Sequence, residues 1–237
     1  MRLIALSGMM LVASVCHSQK DSTRVKTVSH YLGIQANELL RQLFNLSNNS
    51  SSVVNPYLIN YSLNSVKSGW GLNVGLGYTV DNVDQSDANT SSKTQSNNLA
   101  FRIGVERKVP LTKKWLISYG IDLLADKNHS TTTTTSQFQF NTNETDIDNT
   151  TKDSGFGPRF TMNYFISPKI ILGTEASYYY KSINTFQKIT NSSTVITVDP
   201  NTGQQTESFN SSSTNTSQDR KQFHFSVPAI IYLILKF

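Results

Sequence analysis

The feature that most constrains the fold is a regular alternation of apolar and polar residues in segments of about ten residues. The last segment, FHFSVPAIIYLILKF, is apolar at every second position from Phe223 to Phe237. Successive side chains of a β-strand point to opposite faces, so the pattern predicts a strand with one apolar face. The apolar row is longer than a strand of about five or six residues needs.

The alternation recurs along the chain. Six further segments share it: PYLINYSLN, WGLNVGLGYTVD, LAFRIGVE, WLISYGIDLLAD, FGPRFTMNYF and LGTEASYYY. The segment YLGIQANELLRQLF, residues 31–44, begins in the same way, although its second half also fits a helix. We interpret it as the first strand, with a bulge near Glu38. The sequence therefore predicts an all-β chain of eight strands.

The connections between these segments alternate in length. Short ones at residues 65–69, 108–114 and 166–169 alternate with long ones at residues 45–54, 82–96, 127–153 and 181–220. This predicts antiparallel up-and-down strands with tight turns at one end and long loops at the other, which is the layout of outer-membrane barrels.

The two longest connections contain β-prone stretches. Thr131 begins the run TTTTTSQFQF, and residues 195–198 precede the turn-like sequence DPNTG. Pro at the second turn position with Gly nearby can close a hairpin. We therefore predict that both connections continue the strands into water; the alternative is disorder caused by their low complexity.

The N-terminus has the pattern of an export signal. Arg2 precedes an apolar run at residues 3–15, and small or polar residues follow. This predicts a signal peptide at residues 1–18, cleaved after Ser18, then a short periplasmic segment at residues 19–29 and a barrel domain at residues 30–237. The alternative is a lipoprotein signal with Cys16 as the acylated residue.

The composition excludes other classes of protein. The formal net charge is +5, but Lys and Arg form no stripe, so nucleic-acid binding is not expected. Beyond the N-terminal run, no apolar stretch has the roughly 20 residues that a transmembrane helix needs.

The alternation alone fits either a soluble barrel or a membrane barrel, and the aromatic residues favour the second. Trp70, Trp115 and Tyr164 fall at the short-turn rim of the apolar face, whereas Tyr78 and Tyr178 fall near the opposite rim. Aliphatic residues occupy the middle. Two aromatic girdles that bracket an aliphatic band suit a bilayer, because amphipathic rings favour the headgroup zone.

The opposite face of the strands carries formal charges. A charge that faces lipid at mid-bilayer costs about 2–4 kcal/mol, so a membrane barrel must point this face inward. We predict a polar cluster inside the barrel formed by Arg102, Glu106, Asp122, Arg159 and Glu175. The glycines on the same face would make room for these side chains, and with eight strands the interior would be filled.

The signal peptide, the alternating segments, the tight turns at one end and the terminal aromatic resemble the small outer-membrane β-barrel family, OmpA/OmpX-like. The resemblance covers about residues 31–237. It implies an eight-stranded transmembrane barrel in the outer membrane of a Gram-negative cell, with long extracellular loops and with lipid as a partner. It also implies that the barrel-assembly machinery recognises the last strand through Tyr232, Leu233, Leu235 and Phe237. Pro158 and Pro228 depart from the pattern, and each predicts a bulge.

Little in the sequence indicates catalysis, and no catalytic, metal or cofactor site is predicted. His224 and Ser226 share a face, which weakly resembles the His/Ser pairing of outer-membrane lipid A deacylases. The acid-rich stretches at residues 81–87 and 143–149 lack the spacing of a calcium loop and are expected to be solvated.

We expect a non-enzymatic envelope barrel that is structural or displays its loops for adhesion or contact with a partner that the sequence does not identify. The alternatives are a small porin or uptake component, a membrane enzyme acting on lipid, and a soluble secreted barrel.

Overall fold

From the second described β-strand to the seventh, the strands of the protein become progressively longer. The structure is a computed structural model that describes residues 27–36, 57–139, 141–226 and 231–237. The strands in these ranges are β1 (Val28–Gln35), β2 (Ile59–Ser65), β3 (Trp70–Ser86), β4 (Thr90–Pro110), β5 (Trp115–Phe138), β6 (Asn141–Phe165), β7 (Ile170–Val198), β8 (Gln205–Ser226) and β9 (Ile231–Lys236). None of the described segments is a helix that could cross a membrane.

All the pairings are antiparallel and they close a ring. Each strand from β1 to β7 pairs with the next one, and β9 pairs with both β7 and β1. β8 pairs with the distal part of β7, beyond the part that pairs with β9. The predicted all-β antiparallel sheet with a closed circuit is confirmed.

The strand count differs from the prediction. The predicted last strand, residues 223–237, contains the end of β8 and all of β9, so the described strands number nine rather than eight. Residues 227–230 between them, including Pro228, lie outside the described residues. On either side, Ser226 pairs with Ser177 and Ile231 pairs with Thr174, so five steps along the last segment match three steps along β7.

The prediction of a bulge at Pro158 is wrong. Phe156 pairs with Tyr180 and Arg159 pairs with Ser177, so three steps on β6 match three steps on β7. The register is therefore unchanged across the proline. Because proline has no backbone N–H, the ladder loses its pairing there without gaining a residue.

The long connections are mostly strand. β3 and β4 form a hairpin that extends to Ser86 and Thr90, β5 and β6 extend to Phe138 and Asn141, and β7 continues to Val198. The prediction that residues 127–153 and 181–220 continue the strands is confirmed, whereas the loop predicted at residues 82–96 is a further strand pair. The three tight turns, at residues 66–69, 111–114 and 166–169, lie together at the other end.

The turn predicted at Asp199 is also observed. Asp199 Oδ1 accepts a hydrogen bond of 2.8 Å from the backbone N–H of Asn201, and Gly203 has a φ of 68°. The positive φ explains the glycine. The hydrogen bonds from Asn201 and Thr202 lower the pKa of the exposed Asp199 carboxyl.

The first strand begins earlier than predicted, at Val28, inside the segment assigned to residues 19–29. The predicted bulge near Glu38 and residues 37–56 of the connection to β2 lie outside the described residues, as do the predicted signal peptide and Cys16.

Burial is inverted relative to a soluble protein. On the outer face of the ring, Leu72 is 51% exposed and Ile121 is 65% exposed, whereas Arg102 and Asp122 on the inner face are both 0% exposed. A soluble fold normally buries its aliphatic residues and exposes its charges.

Candidate functional site

The five charged residues predicted to lie inside the ring come from four neighbouring strands. β4 supplies Arg102 and Glu106, β5 supplies Asp122, β6 supplies Arg159 and β7 supplies Glu175. All five are buried. The structure brings them together in one cluster, which we call the charged interior.

Glycines opposite these residues make room for them. Arg102 pairs with Gly75, Glu106 with Gly71 and Gly120, and Asp122 with Gly104 and Gly157. A Cβ atom placed on Gly104 would overlap Asp122 Oδ1. The long side chains therefore cross the space that their neighbours leave empty.

Arg102 forms a bidentate ion pair with Glu175. Its Nη1 donates to Oε1 at 2.6 Å and its Nη2 donates to Oε2 at 3.0 Å. Nη2 also donates to Asn60 Oδ1 at 2.8 Å, and the guanidinium lies 4.4 Å from the ring centroid of Tyr57. Such paired charge-assisted hydrogen bonds fix both distance and orientation.

Arg159 joins the two other carboxylates. Its Nε donates to Asp122 Oδ2 at 2.8 Å and its Nη2 donates to Glu106 Oε2 at 3.0 Å. The hydroxyl of Tyr179 donates to the same oxygen of Asp122 at 2.8 Å. Lys108 Nζ donates to Glu106 Oε1 at 2.6 Å. Three cations (Arg102, Arg159, Lys108) thus balance three carboxylates, as a buried cluster requires.

The sequence analysis missed Lys108, Tyr179, Tyr57 and Asn60 as members of this cluster. Tyr179 lies in the polar row of its strand, so its position in that row was a usable signal. Lys108 was assigned to a turn, but β4 extends to Pro110 and Lys108 has the same inward orientation as Glu106.

The cluster leaves little free space. Toward the short-turn end, a cavity of about 50 Å³ is lined by polar side chains that include Ser62, Asn73, Ser118 and Asn163. A ligand pocket for a small molecule typically has about 300–1,000 Å³, so this cavity suits a few water molecules. Among the described residues, no group of three His, Cys, Asp or Glu side chains is arranged so that it could hold a metal ion.

The predicted girdle residues lie on the outer face. Trp115 pairs with Tyr164 across β5 and β6, with ring centroids 4.9 Å apart. Trp70, at the same rim, is 49% exposed. Toward the other end, Tyr78 is exposed and Tyr178 stacks on Phe223 at 5.5 Å.

The four residues of the proposed assembly signal do not share a face. Tyr232 points inward and is buried, whereas Leu233 pairs with Ile34 and Leu172 on the outer face. Leu235 follows on that outer face, and Phe237 stacks on His30 with centroids 5.5 Å apart.

The remaining candidates form no catalytic or metal arrangement among the described residues. His224 and Ser226 pair with Tyr179 and Ser177 on the inner row, and His224 forms no ion pair with a described acid. The acid-rich stretches belong to β3 and β6 rather than to loops, apart from Asp87, which directly follows β3. Asp146 accepts a hydrogen bond from Thr133 at 2.7 Å.

Comparisons with known proteins add little. No protein-family model matches the sequence, and no curated protein matches it. Among solved structures, the crystal structure of Acinetobacter baumannii CarO matches over 92% of this chain and 99% of that chain, with 9% sequence identity and a TM-score of 0.32. Similarity at this TM-score does not establish a shared fold or a shared function.

Proposed function

We propose that the protein is a non-enzymatic, integral outer-membrane β-barrel whose interior is closed by side chains and whose extended strands present a polar surface outside the cell. The observation that carries the proposal is the inverted burial. Arg102 and Asp122 are fully buried, while the aliphatic residues on the other side of the same strands are exposed.

A bilayer accounts for this inversion. Each exposed aliphatic side chain on the outer face has an unfavourable free energy of hydration in water. That penalty is removed when the side chain contacts lipid. A closed ring also leaves no unpaired strand edge in the hydrocarbon, where an unsatisfied backbone group costs several kcal/mol. Lipid is therefore the proposed partner of the outer face, and the barrel-assembly machinery is the proposed partner of β9.

The charged interior supports a closed barrel rather than a small porin. Arg102, Asp122, Arg159 and Glu175 come from consecutive strands and meet across the middle of the ring through contacts of 2.6–3.8 Å. A conducting pore needs a continuous aqueous path through the barrel. The side chains of the charged interior lie across that path.

The strands beyond the ring support a role outside the membrane. β7 has 29 residues, which at about 3.3 Å per residue corresponds to about 95 Å, whereas the apolar band of an outer-membrane barrel is about 25 Å tall. Ser, Thr, Asn and Gln dominate the extension, as in β8 (QTESFNSSSTNTSQDRKQFHFS). We propose that this extended sheet contacts a surface ligand or a partner protein.

Cell fractionation tests the proposed location. We expect the protein in the outer-membrane fraction, released only by detergent, with an unheated gel band that shifts on boiling because a folded barrel resists the detergent. Protease added to intact cells should cleave within residues 181–220. Release without detergent, together with an unchanged gel band, would contradict the proposal.

A further inference from the structure

The two ends of the barrel differ in charge. Five basic residues lie at the short-turn end and point outward or into the turns: Lys67, Arg107, Lys113, Lys114 and Lys169. We call these five residues the basic collar. All five are exposed, and none forms an ion pair with a described acid.

The described acids lie elsewhere. The three tight turns contain no Asp or Glu, and Glu106, the acid closest to this rim along β4, points inward and is bound by Lys108 and Arg159. The other described acids belong to the charged interior or to the strand extensions at the opposite end. Among the residues that the structure describes, the collar therefore has an excess of positive charge that no acid compensates.

Two members of the collar, Arg107 and Lys114, lie beside the rim aromatics on the outer face rather than in the lumen. The guanidinium of Arg107 lies 5.8 Å from the ring centroid of Trp70, and Lys114 Nζ lies 5.9 Å from that of Tyr164. Lys108, by contrast, points inward to Glu106 at 2.6 Å. Rings of this kind sit at headgroup depth in a bilayer, so the cations beside them lie at the level of lipid phosphates.

We propose that the basic collar binds the phosphate headgroups of anionic phospholipids in the leaflet that the short turns face. The ligand class follows from charge complementarity at headgroup depth. A soluble anionic polymer would need cations that project away from the membrane, whereas Arg107 and Lys114 lie against lipid-facing rings. The inference rests on the proposed function, because it requires the ring to be inserted in a bilayer.

Energy transfer from tryptophan to a labelled lipid tests whether the collar binds anionic headgroups. Trp70 and Trp115 are the two tryptophans of the chain, and both lie at the short-turn end. The protein is folded into phosphatidylcholine vesicles that contain a trace of dansyl-labelled phosphatidylglycerol or of dansyl-labelled phosphatidylcholine. We expect local enrichment of the anionic probe by about fivefold, the factor that one basic side chain near an anionic surface supplies. The preference should disappear near 1 M salt, where the Debye length is about 3 Å.

Two variants with the same change in charge separate the collar from net charge. The collar variant carries K67Q, R107Q, K113Q, K114Q and K169Q, and the control carries K93Q, K127Q, K152Q, K188Q and R220Q, all exposed basic residues of the strand extensions. The collar variant should show equal transfer to both probes, and the control should retain the wild-type preference.

The outcomes distinguish this inference from the proposed function. Equal, strong transfer to both probes in the wild type would overturn the collar while the barrel remained inserted. Loss of the preference in both variants would also overturn it, since net charge would then explain the effect. Absence of transfer to either probe would show that the chain is not inserted and would overturn both.

Discussion

Replacing Arg102 with alanine is expected to lower the free energy of unfolding by about 3–5 kcal/mol, the usual result of leaving a buried charge without its partner. Arg102 is fully buried and holds Glu175 at 2.6 Å and Asn60 at 2.8 Å. Arg159 Nη1 lies 3.8 Å from Glu175, too far to replace the two hydrogen bonds that Arg102 donates. Urea titration of the folded barrel in detergent micelles or vesicles measures the change.

A control and a rescue variant accompany this measurement. Lys93→Ala, on the exposed part of the same strand, should change the free energy of unfolding by no more than about 0.5 kcal/mol. The double variant Arg102→Met with Glu175→Leu should recover most of the loss, because replacing a buried ion pair by apolar residues of similar volume is often neutral. An Arg102→Ala variant as stable as Lys93→Ala would show that the charged interior is not an interdependent cluster.

Replacing Ile121 with arginine is expected to destabilise the inserted barrel by about 2–4 kcal/mol, the cost of a basic residue that faces lipid near the bilayer midplane. Ile121 is 65% exposed and pairs with Val105 and Pro158 on the outer face. On a soluble barrel the same substitution at so exposed a position would be close to neutral. Unfolding titrations in lipid vesicles measure the difference.

The matched control is Thr135→Arg. Thr135 lies on the same strand and the same face as Ile121, beyond the apolar band, and pairs with Glu144. We expect no significant loss of stability there. Equal effects at the two positions would mean that Ile121 does not contact lipid.

The sequence alone was sufficient to decide which side chains point inward. A period of two fixes the face of each residue once the strand is assigned, so the five charged residues of the interior could be named in advance. The same rule would have assigned Tyr179 to the cluster, because it shares the row of Glu175 and Ser177.

The partners within the interior could not be predicted in the same way. Arg102 and Glu175 are on β4 and β7 and are separated by 73 residues in sequence. Whether they meet depends on the stagger and tilt of the intervening strands around the ring, and these are not encoded in any one segment. The alternation gives a face for each residue but no relative height.

The extent of the strands was underestimated for a related reason. At residues 82–96, which were assigned to a loop, the apolar alternation ends where the band ends, so a stretch such as SSKTQS has no apolar face to mark it as strand. Its pairing comes from the neighbouring strand, as in the hydrogen bond of 3.0 Å between Thr94 and Thr132. Such cross-strand contacts continue the ladder beyond the part that hydrophobicity identifies.

Contact between the outer face and acyl chains can be measured most directly with Trp70 and Trp115, the two fluorophores that the chain places on that face. The folded protein is reconstituted with phosphatidylcholines brominated at different depths. Because both indole rings lie at the rim, we expect quenching to be strongest for bromines close to the headgroup and weaker for bromines near the chain ends. Tryptophan emission that no brominated lipid quenches would contradict the account, since the apolar row would then face water or a protein core.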